Sequence, residues 1–464
     1  MQRTTLLRGG HLLTMDDELG ELRGDVLVVG DRIEAVAERI DADADEVLDV
    51  SRSIVLPGLV DTHVHLWQAP VRGLASGCWG REYFGIVHPL SARLRPTDLY
   101  AATFDGAAEL LTHGVTTAPD FCHSTNSPAH THAALDALAD VGIRALFGFS
   151  FRERPEMTEQ GFASFADRVS FLDALRSEWA GHPRVRLAAA LNNIDHVTPE
   201  AHALEVSAAR ELGLHATIHC NLQEQVTQAD EQGLLGPDLL WVHTGAISDQ
   251  ELLLLRERGG AIVCTPEIEA GQMTVTPVVA RALRSGVPIS FGSDAPSVVN
   301  GDLLAQLRIG HSLIRMIDAQ TEHLQGRSGA RTAWAPSVDA PGLLRMATID
   351  SAEILGIADE IGSLTPGKQA DIAVMPVGPF GLGGATSAEH LLFHSSGRPL
   401  DAVFVGGRML IRHGELVGVD TAEMVRGLAT ARDWVLGRAP GAIWADIDEA
   451  TRARYEAGQG RAQV

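Results

Sequence analysis

The run at 54–65, IVLPGLVDTHVH, ends in two imidazoles at positions i and i+2, His63 and His65, with Asp61 just ahead of them. On an extended chain, side chains two apart point to one face, so both rings can address one point in space. Three further groups close other short apolar runs: His219 in IHCN, His243 in WVHTG and Asp294 in FGSDAPS. A lone histidine at such a place is most often a hydrogen-bonded core or surface residue. The same arrangement at the ends of four separate runs is a much rarer coincidence. His63, His65, His219 and Asp294 offer three nitrogens and one oxygen, a donor set that suits zinc or another divalent transition metal. The chemistry this set supports is hydrolysis, because a bound divalent ion brings the pKa of its water to about 7.

The elements that must position these groups alternate along the middle of the chain, about 56 to 361. Short apolar runs such as GVTTAPDF, RALFGFSF, RVRLAAALN, LHATIHC, LLWVHTG, GAIVCTP and VPISFGSD follow helical segments, many of which end in glycine. That alternation predicts a parallel sheet. With the opening VLPGLVDTHVH run there are eight such strands, which favours a closed (β/α)8 barrel with its chemistry at the C-terminal ends of the strands. The fold class is therefore α/β, a distorted TIM barrel. Residues 1–55 and 362–420 have the texture of short strands broken by Gly-Asp and Gly-Gly turns. They predict one small β-sandwich built from both termini. The segment 421–464 reads as a C-terminal extension of two helices.

Composition excludes several classes. A net charge of −23 in 464 residues argues against nucleic-acid or anionic-membrane partners. No apolar run is long enough for a signal peptide or a membrane span. The four cysteines, 78, 122, 220 and 264, form no C-x-x-C pair, so the expected setting is cytoplasmic, with reduced thiols. Cys220 adjoins His219, but neighbouring strand residues face opposite sides, which favours packing over a nucleophilic role. The partner is expected to be a small-molecule substrate, and the helical tail and acidic surface permit a homo-oligomer.

The chain resembles the amidohydrolase superfamily, nearest the branch of cytosine, guanine and S-adenosylhomocysteine deaminases and triazine (chloro)hydrolases. The matching stretches are PGLVDTHVHLWQAPVRG at 57–73, GVTTAPDF at 114–121, IHCN at 218–221, LLWVHTGAISDQEL at 239–252, FGSDAPS at 291–297 and IGSLTPGKQADIAVM at 361–375. The resemblance implies that His63, His65, His219 and Asp294 bind a metal, that His243 orients or polarises water and substrate, and that Asp294 accepts a proton. Binuclear members usually carry a carboxylated lysine after strand four. The only lysine here is Lys368, outside the barrel, and strand four ends in LNNID, so one divalent ion is expected, Zn2+ or else Fe2+ or Mn2+. Trp67, Gln68 and Arg72 resemble the family's substrate-proximal segment. Trp79, Tyr83, His88, Asp120, His123, Arg152 and Asn192 all follow strands one to four and are candidates for the cavity wall.

One departure from the family pattern concerns the proton donor. Deaminases of this branch carry His-x-x-Glu after strand five, whereas position 222 here is leucine and the nearest acid is Glu224. After strand seven the chain has TPEIEAGQM, which offers Glu267 or Glu269, two apart and expected to face the barrel mouth together, as acid or substrate anchor. The expected function is metal-dependent hydrolysis of a C–N bond, deamination of a pterin, purine, pyrimidine or triazine. Dechlorination, amide hydrolysis or another elimination is the alternative that Leu222 leaves open. A catalytically degenerate metal- or ligand-binding protein is a second.

Overall fold

The computed structural model describes residues 3–78, 81–152, 161–273, 275–326, 339–379, 381–395 and 397–437. Trp79 and the second helix expected in the tail lie outside them. Eight parallel strands form the barrel sheet in chain order: Leu59–Val60, Val115–Cys122, Arg144–Ser150, Val185–Ala190, Ala216–Cys220, Leu239–His243, Ala261–Cys264 and Ile289–Phe291. All are buried at almost every position, as expected for a parallel sheet covered by helices. The helices start and stop where the sequence supplies caps. Ser127 accepts from His130 N ahead of Pro128–Val141, which ends on Gly142 at φ 86°. Ser248 and Glu251 form a capping box on Asp249–Glu257.

Closure of the barrel depends on the first strand, and it matters for the site. Leu59–Val60 is short, yet the chain stays extended through His65 between its two neighbours. On one side Asp61 N donates to Thr117 O (3.0 Å) and Phe121 N to Val64 O (2.8 Å). On the other, Thr62 N donates to Phe291 O (3.0 Å), Asp294 N to His63 O (2.9 Å) and His65 N to Asp294 O (2.7 Å). A Cβ at position 292 would lie 2.6 Å from His63 O, so glycine there is what lets strands one and eight meet.

Both termini contribute to a second sheet of nine strands. Ser53–Pro57 pairs antiparallel with Ile372–Pro376 and parallel with Thr4–Leu13. This sheet holds its own core, with Leu7, Val26, Val55, Ile372 and Phe404 among its members. Its pairing is mixed, parallel and antiparallel, and its strand Ser53–Pro57 leads straight into the first barrel strand. Arg144 and Asp371 fasten it to the barrel through a buried bidentate pair (2.8 and 3.0 Å). The helix Thr421–Gly437 returns to the barrel, where Trp434 Nε1 donates to Arg93 O (3.0 Å) and the Arg95 guanidinium lies 3.8 Å above the Trp434 ring. Among the described residues, no helix is long and apolar enough to cross a membrane.

Candidate active site

The groups singled out at four strand ends converge on one point. Asp294 Oδ1 lies 3.4 Å from His63 Nε2 and 3.4 Å from His65 Nε2, and its Oδ2 lies 3.7 Å from His243 Nε2. His219 Nε2 is 3.3 Å from His65 Nε2. All five residues are buried. His65 Nδ1 donates to Phe121 O at 2.9 Å, which fixes the tautomer and turns a lone pair on Nε2 toward the cluster. His243 and Asp294 are non-glycine residues at φ 72° and 64°. Strained backbone of this kind persists where the surrounding structure holds a functional group in place.

The electrostatics favour neutral imidazoles around an anionic carboxylate. Burial lowers the pKa of His63, brings that of His65 to about 3, and takes that of His219 well below the usual range. Burial also works to raise Asp294, but the imidazoles beside it, that of His63 first, outweigh it and hold the carboxyl well below normal. Asp61 is pushed up to about 7 by burial, against the bonds it accepts from Ser293 and His63 N. Its role is to tie strand one to strand eight: Oδ1 takes His63 N at 3.0 Å and Oδ2 takes Ser293 Oγ at 2.5 Å.

The cluster fits a metal on its own terms. His63 Nε2 is buried and has no hydrogen-bond partner among the described residues. The ligand atoms of His63, His65 and Asp294 all lie within 4.8 Å of one another, as do those of His63, His219 and His243. The two sets share His63 and so adjoin one another. A divalent cation would satisfy the orphaned nitrogen, whereas a dry cluster would leave it costly. Lys368 lies far from this centre in the chain and donates to Ile361 O at 3.2 Å.

A cavity of about 620 Å3 opens over the cluster, with His65, His219, His243 and Asp294 in its lining. His123 and Tyr83 also line it. The His123 ring sits 4.7 Å from that of His65. An adjoining space of about 550 Å3 shares His88, His123, Asn193 and His196 with the first, and Asn192 and Arg152 line it. Asn192 Nδ2 donates to Glu205 Oε1 at 2.5 Å, which fixes its amide.

Several expected wall residues stand behind the wall instead. After His65 the chain leaves the extended conformation for a 3-10 helix, Leu66–Val71, whose six residues are all buried. The alternation of faces therefore stops at His65, and Trp67 enters the core. Gln68 Nε2 donates to the Tyr83 hydroxyl at 2.6 Å, while Gln68 Oε1 accepts from Ser297 Oγ at 2.5 Å. Arg72 turns outward to Asp105 and Glu109. Asp120 is buried and accepts from Leu66 N at 3.1 Å. Cys220 is a buried free thiol.

The expectation that Glu267 and Glu269 face the mouth together is corrected. Residues Pro266–Gly271 form a helix rather than an extended loop, so positions two apart diverge by roughly 200°. Glu267 Oε2 accepts from Gln306 Nε2 at 3.1 Å. Glu269 lies beneath His243: its Oε1 accepts from Thr265 N at 2.8 Å and stands 3.9 Å from His243 Nδ1, which contacts Thr265 Oγ1 at 3.0 Å. Neither carboxylate lines the cavity. Residues that do line it, and that had no periodic signal to mark them, are Asn193, Asp195, His196, Phe84, Ile268 and Gln272.

A closed parallel barrel with three imidazoles and a carboxylate gathered at its C-terminal mouth defines a metal-dependent hydrolase. The chain belongs to the amidohydrolase family, whose model matches residues 54–410. It is 26% identical over 437 residues to a 5-methylthioadenosine/S-adenosylhomocysteine deaminase from Pyrococcus furiosus, an alignment covering 90% of this chain and 98% of that one. Its fold is similar to that of an adenosine deaminase from Xanthomonas campestris with bound zinc, at TM-score 0.80 and 21% identity over 93% of this chain and 98% of the other. It is also similar to that of a variant of atrazine chlorohydrolase from Arthrobacter aurescens complexed with zinc and atraton, at TM-score 0.78 and 22% identity over 92% and 100%.

Proposed function

We propose that this amidohydrolase is a mononuclear deaminase of amino-substituted N-heterocycles, of the size of a purine nucleoside, with Zn2+ as its resident ion. The observation that carries the reading is the convergence of His63, His65, His219 and Asp294 beside a cavity of about 620 Å3 that the last three of them line. That volume lies within the range of small-molecule sites. The adjoining space gives room for a substituent on the ring. Relatives named for adenosine-type deamination support the substrate class.

The four ligands would hold the ion, and when bound it supplies a nucleophilic water near neutral pH. Asp294, kept anionic by its imidazole neighbours, accepts the proton released by that water. His243 keeps Nε2 toward Asp294 because its Nδ1 is held at Thr265 Oγ1. Tyr83 accepts a hydrogen bond from Gln68 and so has its own proton to offer a bound ring.

Ammonia release by the zinc-loaded protein across purine nucleosides, pterins, pyrimidines and aminotriazines is the direct test. Turnover is expected on purine nucleosides at least tenfold above the other classes, roughly the discrimination that one or two pocket contacts supply. Chloride release from chlorotriazines without ammonia release from any amine would replace this reading with dechlorination, which the apolar Leu222 on the cavity wall would suit. Within the deaminase reading, Glu269 acts as a positioning residue for His243. Glu269→Gln should lower kcat about 10-fold at unchanged KM and metal content, in line with other supporting groups of metal sites. Glu267→Gln should leave both constants near wild type, and the reverse ranking would show that Glu267 reaches the substrate.

A further inference from the structure

Deamination of a neutral ring needs two proton carriers, one for the attacking water and one for the ring nitrogen beside the reacting carbon. Asp294 supplies the first. Position 222, where a carboxylate would be near at hand, is a leucine 49% exposed on the cavity wall. Among the described residues lining the cavity, the only carboxylates are Asp294 and Asp195.

Asp195 is the wall carboxylate that the fold ties to the loop after His219. After barrel strand four, a single turn at Ile194–His196 buries Ile194 and leaves Asp195 and His196 on the cavity wall. Asp195 Oδ1 accepts from Gln225 Nε2 at 3.1 Å. The other end of the buried Gln225 amide, Oε1, accepts from Asn221 N (2.9 Å) and Leu222 N (3.0 Å). One side chain thus ties Asp195 to the loop that follows the ligand His219, beside the position leucine occupies. His196 stands beside Asp195 on the same turn, its Nε2 3.6 Å from Asp195 Oδ2. Among the other protic groups on the wall, His88 serves less well. His88 Nδ1 is 3.0 Å from Arg152 Nη1, a donor that keeps it from holding a proton there.

We propose that Asp195, held by Gln225, is the second proton carrier of this site. The assignment rests on the deaminase reading. Water adds its oxygen to the amine-bearing ring carbon, one water proton passes to Asp294, and Asp195 gives a proton to the adjacent ring nitrogen. The carbon–nitrogen bond to the amine then breaks with the Asp294 proton transferred to the departing group, which leaves as ammonia. The hydroxyl proton of the adduct returns to Asp195 as the lactam carbonyl forms. Water and amine are consumed, lactam and ammonia appear, and both carboxyl groups regain their starting state.

The test uses the zinc-loaded full chain and the heterocycle that the wild type turns over best. Asp195→Asn should lower kcat about 100-fold, the scale of a lost general acid, with metal content and melting temperature unchanged because the turn is at the surface. Asp195→Leu should weaken calorimetric binding of the lactam product about tenfold, since its N–H loses the carboxyl oxygen that accepts it. An Asp195→Asn enzyme within threefold of wild type, or unchanged product affinity in Asp195→Leu, would overturn the assignment while leaving the deaminase reading intact. A wild type that releases no ammonia from any heterocycle would overturn both.

Discussion

Asp294→Asn will lower turnover on the order of 10³-fold, within the range for loss of a general base, while most of the metal stays bound. Asparagine is the informative replacement for a structural reason. Position 294 sits at φ 64°, a conformation that Asn tolerates nearly as well as Asp, whereas alanine would add backbone strain to the loss of function. The amide oxygen can still face the ion, and the backbone bonds from Asp294 N to His63 O and from His65 N to Asp294 O are untouched. What disappears is the anionic oxygen that lies 3.7 Å from His243 Nε2 and can take a proton. The measurement is kcat alongside metal per chain by elemental analysis. Metal near one equivalent with kcat within tenfold of wild type would mean that the water's proton goes elsewhere.

The legible part of this site was the part built on strands. A period of two places His63 and His65 on one face, and strand ends at the barrel mouth bring His219, His243 and Asp294 to them. All seven later apolar runs became barrel strands at the expected places. The reading failed where the chain stopped being extended. Trp67, Gln68 and Arg72 follow the histidines without a break in composition, yet a single 3-10 segment turns them into core and outer surface. Glu267 and Glu269 look like neighbours on a loop, but a short helix opening at Pro266 turns them to different sides. Asp195 left no periodic trace, because a three-residue turn after strand four belongs to no face until the fold supplies one. The polar run NNID in that loop was the available signal. Tertiary closure through Gly292 was also hidden, since its necessity depends on how near His63 O approaches.

Removing the metal should abolish turnover and leave a protein whose stability falls as the solution is acidified. On the mononuclear reading, reconstitution with Zn2+ should saturate at one equivalent per chain and restore activity; saturation at two would overturn that assignment. A ligand that binds only the folded state stabilises it by about 4 kcal/mol at a thousandfold excess over its dissociation constant, so the metal-free protein should melt at a clearly lower temperature. The acid dependence follows from buried neutral imidazoles. In the unfolded chain each histidine takes up a proton below about 6.5. In the folded chain burial lowers His63, brings His65 to about 3 and holds His219 well below normal. Between those limits the unfolded state binds more protons, so stability is full above about pH 6.5 and is lost as pH falls through the window. His202, buried and brought to about 4 by burial, adds the same dependence at a place remote from the ligands in the chain. With metal present the same nitrogens are contested by protons, so acid should also release the ion. Melting curves from pH 7.5 to pH 5 with and without chelator test both parts. A melting temperature that stays flat on acidification without metal would mean that these rings are already charged or solvated in the folded protein.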